Sequence, residues 1–377
     1  MALNINALLP TVYAALDQVS REMVGFVPAV SRDSGAERAA KGQTISSPVV
    51  PALTAEDATP GDTPGNTGGH TIGTVDMSIY KSRVVAVPWT GEEQRGVSLS
   101  GQLQAVQRRQ FAQAMRALVN EMDGDIAGEY VRASRAYGTA GTTPFGTDLS
   151  DAAEVLKILK DNGAPDDGDL NLVADTSAGA NMRSLAQLTD VNRAGTDDPL
   201  RRGVLRDIYG FSLRESAQVK THVSGSVNAT VDGSHSKYAT SIAVTGTSIS
   251  LKEGDVVHFG GDHKYVVAAP ASSLPGTLQI REPGLRAPLS GGEAAQVSDD
   301  YVANLAFHRT AIHAVTRAPA MPDGGDSSDD ITEVTDPSTG IAFQVALYRQ
   351  YRQVRFEIGL AWGVKAIKPE HAALLIG

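Results

Sequence analysis

Residues 304–319, NLAFHRTAIHAVTRAP, and residues 336–377, DPSTGIAFQVALYRQYRQVRFEIGLAWGVKAIKPEHAALLIG, decide how this chain divides. Both belong to a mixed pattern that resumes at Asp299 after a stretch of different character. From 224 to 298 the helical period is absent. Short Val/Thr/Ser/Ile runs alternate there with glycine turns, as in TSIAVTGTSIS, GDVVHFGGDHKYVVAA and GTLQIREPG. About four to six short strands at that spacing predict a small sandwich or barrel. Because the mixed pattern returns after it, the β module is an insertion and not a terminal domain.

Upstream of the module, residues 138–223 alternate helix and strand. A helix is predicted over 149–161, closed by Asn162-Gly163, then a short buried strand at 171–174, a helix over 177–188 and a turn leading into a strand in YGFSLRESAQVK. Before these, Leu99, Leu103, Val106, Phe111, Met115, Leu118, Met122, Ile126 and Tyr130 recur at helical spacing to residue 136. They predict one helix of ~36 residues, ~54 Å long, begun by Ser98 or Ser100 as its cap. Such a helix is a spine, since no second helix of that length can pair with it. Between residues 31 and 73 the chain is turn-rich, with a strand candidate near 44–51, and a strand follows over 74–89. Two strands joined by a ~20-residue polar loop are marginal alone. They predict a hairpin arm that projects onto another copy. The first residues place Ile5, Leu8, Leu9, Val12, Leu16, Val19 and Met23 on one helical face, with the firm part starting at Pro10. That helix either packs on its own core or serves as an arm on a neighbour.

Composition narrows the function. The 377 residues fit about two or three domains. The net charge of -10, with no basic run, argues against a dedicated nucleic-acid binder. Cysteine is absent, so neither disulfides nor thiolate metal sites are available. No apolar run is long enough to span a membrane, and the opening residues do not read as a secretory signal.

Motifs for chemistry are weak. GVSLS at 96–100 lacks the glycine needed on both sides of a nucleophilic serine, and no phosphate-cradling loop is present. His258 and His263, with Asp262 between them, flank a glycine pair without a third ligand for zinc. His308 and His313 point to different faces and read as structural. The acidic loop 323–330, DGGDSSDD, lacks the register of a calcium loop and reads as solvated. Catalytic, cofactor-binding and metal residues are therefore expected to be none.

The order of these segments, with YGFSLRESAQV, NLAFHRTAIHAVTRAP and GVKAIKPEHAALL as its short motifs, resembles the major capsid proteins of tailed phages with the Hong Kong 97-type fold. The inserted module, and GDVVHFGG within it, is similar to the short-tailed branch that carries an extra β domain. The resemblance implies an α+β fold: an N-terminal arm (1–30), an extended hairpin (31–96), a spine helix of the peripheral domain (97–137), an axial domain (138–223), an inserted β-barrel domain (224–298) and return strands (299–377). It implies a non-enzymatic subunit that assembles into pentamers and hexamers of an icosahedral shell around double-stranded DNA. Scaffolding protein and portal would be partners, with assembly in the bacterial host cytoplasm and no membrane. By position, Asp232 and Lys237 in the module's polar tip, with Lys81 and Trp89 in the projecting hairpin, are candidate inter-subunit contacts. Some relatives crosslink such a lysine, but this sequence offers Lys81 no specific Asn and Glu partners. A nanocompartment shell of the same fold is the nearer alternative. A hydrolase with a β accessory domain is the remoter one, disfavoured because the module's aromatics are only Tyr238, Phe259 and Tyr265.

Overall fold

A computed structural model describes residues 5–23, 25–34, 37–49, 73–99, 103–185, 207–336 and 339–377. The helix Ile5–Glu22 buries Leu8, Val12, Ala15, Leu16 and Val19, the face that the sequence spacing predicts. It begins a turn before Pro10 rather than at it, so the proline sits inside the helix and removes one intrahelical hydrogen bond. The helix packs on the spine of its own chain. Downstream, Phe26 stacks on Phe307, and Asp123 of the spine accepts from the Val27 amide at 2.9 Å.

The spine departs from the expected helix at both ends. It is helical over Gly91–Leu99 and over Leu103–Gly128, the latter 26 residues and about 39 Å long, with 100–102 outside the described residues. A single 3-10 turn, Glu129–Arg132, follows, and then the strand Arg135–Gly138. Two interactions explain the difference. At the start, Thr90 and Glu93 form a reciprocal cap: the Thr90 amide donates to Glu93 Oε2 at 2.9 Å, and the Glu93 amide donates to Thr90 Oγ1 at 3.3 Å. That places Ser98 inside the first helix instead of at its cap, while Ser100 lies outside the described residues. At the far end, Arg135–Gly138 pairs in parallel with Ala372–Ile376, and this sheet contact overrides the helical spacing. Gly124 stays helical, and its lack of a side chain admits the ends of Gln218 and Lys220, each 3.3 Å from where a Cβ would stand.

Two sheets organise the rest. In the body, Gln353–Ala366 pairs antiparallel with Ala342–Gln350 and Ile312–Arg317 on one side and with Lys81–Thr90 on the other. Asp330–Thr335 lies outside Ala342–Gln350, and Ser31–Ser34 runs parallel to Ile312–Arg317. The spine covers one face, with Phe111 packed edge-on against Phe356 at 5.4 Å. The second sheet centres on Tyr301–His308, flanked by Ala372–Ile376 and Leu170–Ala174. The helices Ser150–Asp161 and Thr176–Ser184 cover it with a separate apolar core. The sequence placed the second of these helices over 177–188, of which 186–188 lie outside the described residues.

Residues 226–297 form six antiparallel strands in the order Gly276–Gln279, Ser241–Ser250, Ser226–Val231, Ala294–Val297, Val256–His258, Lys264–Val266. A bridge between Val267 and Ile280 joins the last strand back to the first, so the strands close into a barrel. Its interior holds Val231, Ile242, Val244, Val257, Val267, Leu278 and Ile280, a core of its own. The barrel is not detached, however. Lys264–Val266 continues into the second sheet by pairing with Arg135–Gly138.

A buried polar joint reinforces that connection. His222 Nε2 donates to Asp255 Oδ1 at 2.7 Å, which leaves Nδ1 to accept from the Tyr130 hydroxyl at 2.7 Å. Asp255, 0% exposed, also accepts from the Gly225 and Lys252 amides, and Tyr301 donates to the Gly254 carbonyl at 2.6 Å. Asp255→Ala takes the acceptor from His222 Nε2 and from the Gly225 and Lys252 amides. It is expected to cost about 3 kcal/mol or more in urea unfolding, whereas Asp323→Ala on the surface shifts stability by less than about 0.5 kcal/mol.

Candidate assembly surfaces

The arm leaves the body at a crowded root. Thr44–Val49 and Gly73–Ser78 pair antiparallel from Thr44↔Ser78 to Val49↔Gly73. The polar run 50–72 between them lies outside the described residues. Near the body, Ile45 packs on Met77, Ile79, Val315 and Ala361, a small apolar plug. Farther out Gly73, Thr74 and Asp76 are exposed. At Gly363 of the long strand a Cβ would stand 2.2 Å from the Ser78 carbonyl oxygen. Only glycine lets the arm pass that close.

Lys81 sits at this root rather than on the projecting part. Its ammonium lies 2.8 Å from Asp125 Oδ1 and 3.1 Å from Glu121 Oε1, both on the spine, and over the Trp362 ring. The Trp362 indole donates to the other oxygen of Asp125 at 2.8 Å, and Arg83 reaches Glu121 at 3.1 Å. Burial works against the Lys81 charge, but the hydrogen bonds to Asp125 and Glu121 outweigh it and raise its pKa. Trp89, at the other end of the same strand, is 3% exposed and packs in the body core. The structure therefore gives both residues intramolecular positions. Asp232 and Lys237 differ from them. Both are exposed on one barrel loop, and Lys237 lies over the Tyr238 ring at 4.8 Å.

The predicted histidines are likewise placed apart. His258 and His263 line a polar cleft of about 840 Å³ between the barrel turn and the helix Ser150–Asp161. Burial lowers the pKa of both, with Lys264 adding to the effect at His258 and Arg135 at His263. His308 is buried, bonded to Asp167 at 2.9 Å and Thr310 at 2.8 Å, while His313 is half-buried. No cluster of three or more metal-ligating side chains occurs among the described residues. The Tyr130–His222–Asp255 chain has the order of a catalytic relay, but it is too deeply buried to meet a substrate. Sequence reasoning missed this joint, since nothing local links positions so far apart. It also missed Asp125 and Gly363, whose roles exist only once the spine and the long strand meet.

No protein-family model matches the chain, and no curated protein matches it. Solved structures do. The chain is similar to one from Mycobacterium phage Che8, at 16% identity and a TM-score of 0.47, over 94% of this chain and 91% of that one. It is similar to the capsid of cyanophage P-SCSP1u, at 11% identity and a TM-score of 0.47, over 93% and 87%. A virus-like particle from Pyrococcus furiosus matches at 9% identity and a TM-score of 0.43, over 97% of each chain. The likeness to phage capsid structures runs along nearly the whole chain. No helix among the described residues is long and apolar enough to cross a membrane.

Asp125→Ala leaves the Trp362 N–H unpaired and Lys81 with Glu121 as its remaining carboxylate, and is expected to cost about 1–3 kcal/mol. Hydrogen exchange should rise at Thr44–Val49 and Gly73–Ser78 while the barrel amides keep their protection. Gly363→Ala should loosen the same amides by forcing the arm off the long strand.

Proposed function

We propose that the chain is a phage major capsid subunit. Copies would assemble through the arm into pentamers and hexamers of an icosahedral shell that encloses double-stranded DNA. The observation that carries the proposal is the arm. Among the described residues its two strands form ladder pairs only with each other, and beyond the Ile45–Met77 plug and the Lys365 ammonium, which donates to the Asp76 carbonyl at 2.8 Å, Gly73, Thr74 and Asp76 are exposed. A lone two-stranded ribbon is marginal in water, so it gains its stability from surface supplied by another copy. In this reading 1–30 is the N-terminal arm, 31–96 the extended hairpin, 97–137 the spine segment, 138–223 with 299–377 the axial and peripheral parts, and 224–298 an inserted domain. Asp232 and Lys237 are proposed contacts between capsomers; Lys81 and Trp89 contribute through the arm root and the core. The acidic balance of the chain suits a shell filled by a packaging motor, with a scaffolding protein and a portal as assembly partners and the host cytoplasm as the site of assembly.

Sedimentation velocity with negative-stain imaging tests this, using the full chain with and without a co-expressed scaffold candidate. Closed shells or ring-shaped capsomers are the expected result. A monomer of about 39.5 kDa under every condition would overturn the proposal.

A further inference from the structure

The strand Lys81–Thr90 is an edge: among the described residues it pairs only with Gln353–Ala366. Between that edge and the first half of the spine runs an open groove of about 510 Å³, lined by Val85, Val87, Pro88, Val106, Arg109 and Gln110. The groove is apolar in its floor and cationic at its rim. From 94 to 120 the chain carries Arg95, Arg108, Arg109 and Arg116 and not one carboxylate. Arg95, Arg108 and Arg109 are exposed and form no ion pair among the described residues. Polar atoms are left waiting as well. Gln110 Oε1 in the groove and Trp89 Nε1, on the lining strand, are buried without a hydrogen-bond partner.

The other edge of the same sheet has the opposite character. Asp330–Thr335 is its outermost strand, and the loop 318–330 that leads into it carries Asp323, Asp326, Asp329 and Asp330 with no lysine or arginine. The loop is held in shape rather than splayed: the Ser328 amide and the Tyr348 hydroxyl both donate to Asp326, at 2.8 and 2.6 Å. Met321 and the exposed Pro322 give it an apolar shoulder. Acidic loop and basic groove lie at opposite edges of one sheet, with Ala342–Gln350 and Gln353–Ala366 between them, so they cannot meet within a chain.

We infer that the arginine-rimmed groove of one copy receives the acidic 318–330 loop of the next copy of this chain. Two different patches on opposite edges make a head-to-tail contact, which repeats in one direction and closes into a ring when the rotation allows. Pro322 and Met321 would rest on Val85, Val87 and Val106, with the aspartates facing Arg108 and Arg109. The inference rests on the proposal that copies of this chain associate, and it adds which surfaces do so.

The absence of native cysteine makes the test direct. Chains carrying Arg109→Cys mixed with chains carrying Asp326→Cys, joined by a short bismaleimide, should give a dimer band that neither variant gives alone. Arg108→Glu with Arg109→Glu should reduce the assembled fraction by about tenfold or more at low salt, with the circular dichroism unchanged. Adding Asp323→Lys and Asp326→Lys should restore it. Wild-type shells together with undiminished assembly of the arginine variants would overturn this inference and leave the capsid proposal standing. A position-109 crosslink to Asp76→Cys of the arm, in place of position 326, would also overturn it. Wild-type chains that never associate would remove both.

Discussion

The 14-residue strand Gln353–Ala366 hydrogen-bonds to three other strands and receives the spine on its face, and the body is organised around those contacts. Its N-terminal half is flanked by Ala342–Gln350 and Lys81–Thr90. Its C-terminal half passes to Ile312–Arg317, which leads back into the second sheet. Antiparallel pairing fixes register, because a one-residue slip would move the large side chains from the spine-facing side to the opposite one, where only Gly359, Ala361 and Gly363 fit against Pro319, Val84 and Ser78. Phe356, Ile358, Leu360 and Trp362 are all buried, so the strand has one register available to it. The arm, the groove and the sheet edges inherit their positions from that register.

Much of this plan is legible in the chain. The helical spacing of the N-terminal segment, the strand before the polar run 50–72 and the loss of helical period after residue 223 each reflect local periodicity, and each gives the element observed. The strand read over 74–89 is instead two, Gly73–Ser78 in the arm and Lys81–Thr90 in the body sheet. The Thr90-Gly91-Glu92-Glu93 cap is equally local: reading it as a capping box moves the helix start upstream of Ser98. Non-local competition is harder to read. Residues 129–136 keep apolar groups at helical spacing, yet Arg135–Gly138 becomes a strand because Ala372–Ile376 lies beside it. Lys81 and Trp89 reveal the same limit. Their types suit a contact surface, but the carboxylates of Glu121 and Asp125 and the depth of the body core give them internal duties. Barrel closure through Val267 and Ile280 is likewise a long-range fact.

The joint between barrel and body shows a different use of polarity. A buried carboxylate surrounded by an imidazole and two amides contributes little net stability compared with an apolar filling, but it tolerates few arrangements. Tyr130 comes from the end of the spine, His222 from the segment entering the barrel and Asp255 from a barrel turn. Their mutual satisfaction fixes how the barrel is oriented on the second sheet. The Lys264–Val266 pairing with Arg135–Gly138 supplies a second attachment. Orientation therefore rests on two independent constraints rather than on the apolar core alone.

The approach of Ser78 to Gly363 has a mechanical meaning as well. Beyond that point the six-residue strands reach outward by ~20 Å at the usual rise per residue. An arm of that length is a lever whose fulcrum is a contact too tight for a methyl group. A tilt of about 10° at the root would carry the far end of these strands through roughly 3 Å, about the length of a hydrogen bond. How precisely the far end of those strands is held is thus decided at their base, within the one chain.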